Sequence, residues 1–208
     1  MAITNYTDLQ STIADYLART DLTTQIPLFI QLAENRLRRD LRIRPMLKVV
    51  TTSTTAGDPT VSLPSDFLEM RDIHIESSPI QTIVYQNPSN FFRNTKASTA
   101  DSGAPKFYTV MGSEFQFAPI PDTAYTLKMV YYASPSYLSS TVTSNVFLAN
   151  CPDLLLYASL GEAEPYLMND ARVATWAQLY DRGLNSLTVS DSAGENPSAP
   201  MVISLATR

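Results

Sequence analysis

"NRLRRDLRIRPMLKVVTT", Asn35 to Thr52, holds the point at which the chain changes its architecture. Before it, Ile26, Phe29, Ile30, Ala33, Leu37 and Leu41 recur at helical spacing and fall on one face. Pro45 ends that pattern, because a proline disfavours helical geometry in the residue before it. From Met46 onward the residue types are β-branched and aromatic, which fit a pleated surface better than a helix. A helical regime gives way to a β regime at one residue, which implies a mixed fold.

Toward the N-terminus, Thr7 reads as the N-cap of a helix from Asp8 to about Arg19, with Leu9, Ile13, Tyr16 and Leu17 on one side. Thr24 reads as the cap of the second helix, and Pro27 falls in the tolerated first turn. The short connection between them predicts an antiparallel pair.

Toward the C-terminus, "MLKVVTTSTTAGDPTVSLP" reads as a hairpin turning at "AGDP". "FLEMRDIHIE" alternates only in part around Phe67, Met70, Ile73 and Ile75, and "SPIQTIVY" reads as one further strand. "NPSNFFRN" suits a short helix, and "PKFYTVMGSEFQFAPIP" a second hairpin with "MGSE" at its tip. "AYTLKMVYYA" is a long strand with Tyr125, Leu127, Met129 and Tyr131 on one face. A Ser-rich loop, "SPSYLSSTVTSNVFLAN", follows it.

Helical signals then return in "CPDLLLYASLGEAEPYLMNDARV", where Leu154 to Ala158 is apolar nearly all round, as expected of an enclosed helix. Gly161 and Pro165 predict a single kink in it; the alternative is that Pro165 begins a new turn, with Glu164 non-helical. Asp170 reads as the start of a last helix carrying Val173, Trp176, Ala177, Tyr180, Leu184 and Leu187 on one face. From Thr188 the periodicity is lost, which predicts an extended arm with an apolar tip.

The expected fold is α+β: a bundle of about four helices drawn from both chain ends, an inserted antiparallel β-sheet or small barrel, and an extended C-terminal arm. The expected divisions are 1–44 for the first helix pair, 45–148 for the β insertion, 149–188 for the second helix pair and 189–208 for the arm.

Charged residues make up only 17% of the 208 residues, below the roughly 25% of an average protein, which suggests that much of the surface is uncharged or meets other subunits. The net charge of −5 argues against general attraction to nucleic acid or anionic membrane. The longest apolar run, "LLLYASL", falls far short of the roughly 20 residues that span a bilayer. One cysteine, and an N-terminus without a basic and apolar leader pattern, predict folding in a reducing cytosol.

Little in the sequence carries reaction chemistry. Cys151 and His74 are the single cysteine and histidine; as a nucleophile and base they would lack any second histidine to orient them. One of each is too few for a zinc site, the acidic residues are scattered, and the glycines are isolated rather than gathered in a phosphate loop. No catalytic residue, metal ligand or cofactor is expected. The tyrosines and phenylalanines, Tyr131 with Tyr132 and Phe115 with Phe117 among them, suit cross-strand packing more than ligand stacking. Arg36, Arg38, Arg39, Arg42 and Arg44 admit three readings: solvated cations offsetting a helix C-terminus, a basic patch facing an acidic partner subunit or DNA phosphates, or, for Arg36 and Arg39 on the side of Leu32, partial burial in an ion-pair network.

Four stretches in order resemble one family. They are "LAENRLRRDLR", "VSLPSDFLEMRDI", "PKFYTVMGSEFQFAPIPDTAYTLKMVYYA" and "PDLLLYASLGEAEPYLMNDARVATWAQLYDRGLNSL". Together they look like the head-to-tail adaptor, or connector, proteins of tailed bacteriophages, in the style of the short-tailed-phage adaptors and tail tubular protein A. The resemblance implies a structural virion protein without catalytic residues. It implies a ring, commonly of about twelve copies, beneath the portal protein, extending a channel through which genomic DNA passes without specific binding, and docking a tail or nozzle protein. By that likeness Pro200, Met201, Val202, Ile203 and Leu205 of the arm are the expected portal contact. The readings from other classes are a β-rich carbohydrate-binding tail module and a cysteine-dependent hydrolase.

Overall fold

A computed structural model describes residues 3–94, 102–167 and 172–195. The chain runs through helices α1 (Tyr6–Leu17) and α2 (Ile26–Asp40), a 3-10 turn at Arg44–Met46, and strands β1 (Leu47–Ser53), β2 (Thr60–Ser62), β3 (Phe67–Ile75), β4 (Gln81–Thr82) and β5 (Val84–Tyr85). Helix α3 (Pro88–Asn94) follows, then β6 (Phe107–Met111), β7 (Glu114–Ala118) and β8 (Thr126–Ala133). Helices α4 (Val146–Asn150), α5 (Pro152–Glu162), α6 (Glu164–Leu167) and α7 (Val173–Glu195) complete it. The class is α+β, as expected. Contacts divide the chain into two units, Met1–Pro45 with Pro135–Arg208, and Met46–Ser134, so residues 135–148 group with the helices.

In the helical unit, α5 packs against α2 and α7. Leu154, Leu155, Leu156, Ala158, Ser159 and Leu160 are all buried, which is why that stretch shows no polar face. The α5–α7 approach is close at Gly183, where a Cβ would stand 2.7 Å from Leu154 Cδ2.

Several helix boundaries differ from expectation. Asn5, not Thr7, caps α1: its extended backbone lets its side chain accept from the Asp8 N–H at 2.9 Å. Gln25 stands at the start of α2 without a side-chain cap, while the Thr24 hydroxyl bonds the Gln25 amide oxygen at 2.7 Å. The Ser-rich loop contains α4, capped by the Asn145 side chain on Leu148 N–H at 3.1 Å. In place of one kinked helix, α5 ends at Glu162, Ala163 turns, and α6 begins at Glu164. Pro165 thereby sits in a first turn, where its missing N–H has no intrahelical acceptor to satisfy. The expected helix start at Asp170 lies outside the described residues.

Helix α7 continues past Leu187 to Glu195, so residues 188–195 are helical rather than an extended arm. Polar residues on its exposed side hide the periodicity, and two of them bond back to the helix: Thr188 to Leu184 O at 2.8 Å and Ser192 to Val189 O at 3.0 Å.

The β unit consists of two four-stranded sheets, ordered β1-β8-β3-β4 and β2-β7-β6-β5. Their facing sides share one core of Ile73, Ile75, Ile83, Tyr108, Phe115, Phe117, Leu127, Met129 and Tyr131. Phe67 of the first sheet meets Phe115 of the second edge-on at 5.4 Å. The hairpin expected of β1 and β2 does not form: β1 pairs with β8 and β2 with β7, so the "AGDP" turn passes the chain between sheets. "SPIQTIVY" is likewise divided, since β4 pairs with β3 and β5 with β6. Ile83, between them, is buried and donates its N–H to Ile73 O at 3.0 Å. The β5–β6 pairing is parallel, an exception to the antiparallel expectation. Register shifts between Phe67 and Glu69 and between Met70 and Asp72 explain the incomplete alternation of β3.

Candidate functional site

The arginine run at the end of α2 is dispersed over the helical unit. The Arg36 guanidinium lies 4.1 Å from the centre of the Tyr180 ring, with Nε 3.7 Å from Asp40 Oδ2. The buried Tyr180 hydroxyl donates to that same Asp40 oxygen at 2.9 Å. Burial, and then the Asp40 carboxylate, push the Tyr180 phenol above its ordinary range. Arg42 Nη1 bonds the Arg38 and Leu41 carbonyls at 2.8 and 2.7 Å, on the last turn of α2 where the helix leaves acceptors free.

Arg38 and Arg44 hold the two places where the chain leaves and re-enters this unit. Arg38 stacks 3.5 Å from the Tyr137 ring centre and donates to the Pro135 carbonyl. Arg44 sits one residue before Pro45 and donates from its backbone N–H and Nε to Asp191 of α7, both at 3.1 Å, and from Nη1 to Gly194 O at 3.2 Å. A Cβ on Gly194 would fall 2.6 Å from the guanidinium carbon, so the absence of a side chain there admits Arg44. Arg39 is exposed and, alone of the run, takes no partner among the described residues.

Beneath the run is a buried carboxylate that the sequence did not reveal. Glu34 is 1% exposed and accepts from Leu138 N–H at 3.1 Å and from the Asn145 amide at 2.6 Å. Asn145 also donates to Ser136 O at 2.9 Å, and the Tyr137 hydroxyl donates to Asn35 Oδ1 at 2.5 Å. Burial raises the Glu34 carboxyl above the usual range, and the bonds from Leu138 and Asn145, with the nearby Arg38 charge, pull it only part of the way back. The hub fixes the polar segment from Pro135 to Asn145 onto α2. No local spacing signals it, because these partners lie more than a hundred residues away.

The expected portal-contact residues Pro200, Met201, Val202, Ile203 and Leu205 lie outside the described residues.

A family model described as SU10 adaptor protein matches residues 4–202, spanning both units. The chain belongs to this family. It is therefore a bacteriophage adaptor, a structural component of the virion that meets other virion proteins. No curated protein matches the chain.

For this adaptor the residues singled out for chemistry have structural surroundings. Cys151 is buried at the start of α5, and burial, with the Asp153 charge, pushes its thiol up to about 12, so it is not a thiolate at neutral pH. His74 belongs to the β unit, with Nδ1 3.0 Å from Asp72 Oδ2. Among the described residues no group of three or more His, Cys, Asp or Glu could hold a metal, and no helix is long and apolar enough to cross a membrane. Tyr108, Phe115, Phe117 and Tyr131 are core residues of the β unit, not an exposed stacking platform.

Proposed function

We propose that this adaptor forms a ring of about twelve copies beneath the portal, continues the DNA channel, and docks the tail or nozzle protein on its far side. The observation that carries this reading is the adaptor-family match over residues 4–202, which reaches into the C-terminal segment. The scarcity of charge, 17% of residues, supports large lateral interfaces, and the net charge of −5 suits a channel wall that lets DNA slide. Pro200, Met201, Val202, Ile203 and Leu205 are the proposed portal contact, an uncharged apolar segment suited to ordering on a partner. With Arg36, Arg38, Arg42 and Arg44 engaged inside the helical unit, Arg39 is the member of the run proposed to face a neighbouring subunit or DNA phosphates.

Electron microscopy of the purified protein mixed with its portal tests the reading. Ring density continuing the portal axis is the expected result. No ring on the portal, together with absence of the chain from virions, overturns it. Deletion of residues 196–208 is expected to leave the fold intact and abolish portal attachment; undiminished attachment refutes the role given to the arm.

A further inference from the structure

The first sheet of the β unit ends on a strand whose outer side pairs with nothing among the described residues. β1 pairs with β8 along its whole length, from Leu47↔Tyr132 to Ser53↔Thr126, and occupies the end of the sheet order. The parity of that ladder follows from one bond: Thr54 N–H donates to Tyr125 O at 3.0 Å, in the same register. Bonded opposite pairs alternate in an antiparallel ladder, so Lys48, Val50 and Thr52 turn their backbone groups toward β8. Leu47, Val49, Thr51 and Ser53 turn theirs toward the free edge. The other side of β8 agrees, since Thr126 O accepts from Glu76 N–H at 2.9 Å on the β3 side.

Free edges normally carry protection: a charge, a proline, a bulge, or too few residues to serve as a template. The remaining sheet ends are short, with β4 and β5 of two residues and β2 of three. β1 has seven residues, no proline, and an unbroken register with β8. Its one charge, Lys48, is committed to Asp66 Oδ2 at 2.7 Å. Val49 is 57% exposed, and Thr51 and Ser53 are exposed beside it.

We propose that the β1 edge is a docking site for an extended, uncharged strand of another virion protein, held by backbone hydrogen bonds at Leu47, Val49, Thr51 and Ser53. The neutral side chains of Val49, Thr51 and Ser53 match an uncharged, β-branched strand. A second copy of this chain is disfavoured as donor: besides β1, the long strand open on its outer side is β3 over residues 67–72, and Glu69, Arg71, Asp72 and two register shifts guard that stretch. Two β1 edges meet about a two-fold axis and close at a dimer, whereas the ring needs a head-to-tail contact. The inference rests on the adaptor reading for its partner class.

Particles assembled with a Val49→Cys chain test it by thiol cross-linking, because the one native cysteine, Cys151, is buried. The expected result is a cross-link from position 49 to another virion protein. Val49→Pro removes no bond to β8, since that N–H points outward, and Thr51→Lys adds an edge charge. Both are expected to keep the wild-type unfolding midpoint and lose attachment of the partner; if Val49→Pro unfolds, Thr51→Lys decides. Free labelling of position 49 in particles that contain the chain overturns the proposal. So does a cross-link only to a second copy, residues 196–208 included, or normal attachment by the folded variants. Absence of the wild-type chain from particles instead sinks the adaptor reading itself.

Discussion

Each unit closes around a carboxylate, but the two carboxylates stand in opposite surroundings. Glu34 of the helical unit is buried, and burial outweighs its hydrogen bonds, so its pKa is raised. Asp66 of the β unit lies at the rim; burial there is outweighed by the bonds from Lys48 and from the Tyr131 hydroxyl, so its pKa is lowered. The reason lies in chain connectivity. The β unit is one continuous segment, Met46–Ser134, whose core is apolar and aromatic. The helical unit joins two distant segments, and its buried polar hub is what ties the returning chain to α2.

The largest expected effect separates the two by excision. Residues 46–134 expressed alone should unfold cooperatively in a thermal circular-dichroism scan, because Leu47 pairs with Tyr132 and the two ends lie side by side in one sheet. Residues 1–45 alone should give a coil-like spectrum, since α1 and α2 span 12 and 15 residues, near the lower limit for isolated helices, and have lost α5. A folded 1–45 fragment would break the comparison.

Next is Glu34→Ala, which leaves the Leu138 N–H without its acceptor, takes one of two acceptors from the Asn145 amide and removes the carboxylate near Arg38. A loss of about 3 kcal/mol is expected. Trp176, the single tryptophan and 5% exposed on α7, reports the helical unit's denaturation by fluorescence. Asp66→Asn should cost less, about 1 kcal/mol, because Lys48 is half exposed and Tyr131 retains its packing. Faster amide exchange in β8 measures it. Smallest is Arg44→Ala, expected to cost about 0.5 kcal/mol as an ion pair with a half-exposed arginine.

The pH dependence should carry opposite signs in the two units. A raised folded-state pKa means that the Glu34 contribution is fully present below the unfolded value near 4.3 and is lost as pH rises through the folded value. Asp66, depressed, contributes above its unfolded value near 3.9 and loses that contribution as pH falls through the folded value. Glu34→Gln should flatten the pH profile of the Trp176 transition on the side above 4.3, and Asp66→Asn the acid side of β8 exchange. Slopes of the same sign in both units would refute the assignment.

Helix positions and the alternate burial of Leu127, Met129 and Tyr131 on β8 were legible because each depends on neighbours within a few residues. Sheet membership was not. β1 and β2 are joined by a turn that suits a hairpin, yet each finds its partner near or beyond fifty residues away, because two facing sheets bury more apolar surface than one local ribbon. The arginine run was visible as a charge cluster, but the partners that disperse it, Tyr180, Tyr137, Pro135 and Asp191, come from the far end of the chain.

The sequence by itself determined the succession of helices, strands and helices, since periodicity, caps and the proline at position 45 act over one or two turns. The resemblance of four ordered stretches also pointed to the adaptor family that the match over 4–202 shows. Only the tertiary structure decided which strands share a sheet, which carboxylate is buried, and which edge stays open. Those outcomes depend on surface removed from water by residues far apart in the chain, and no short window of sequence holds both partners.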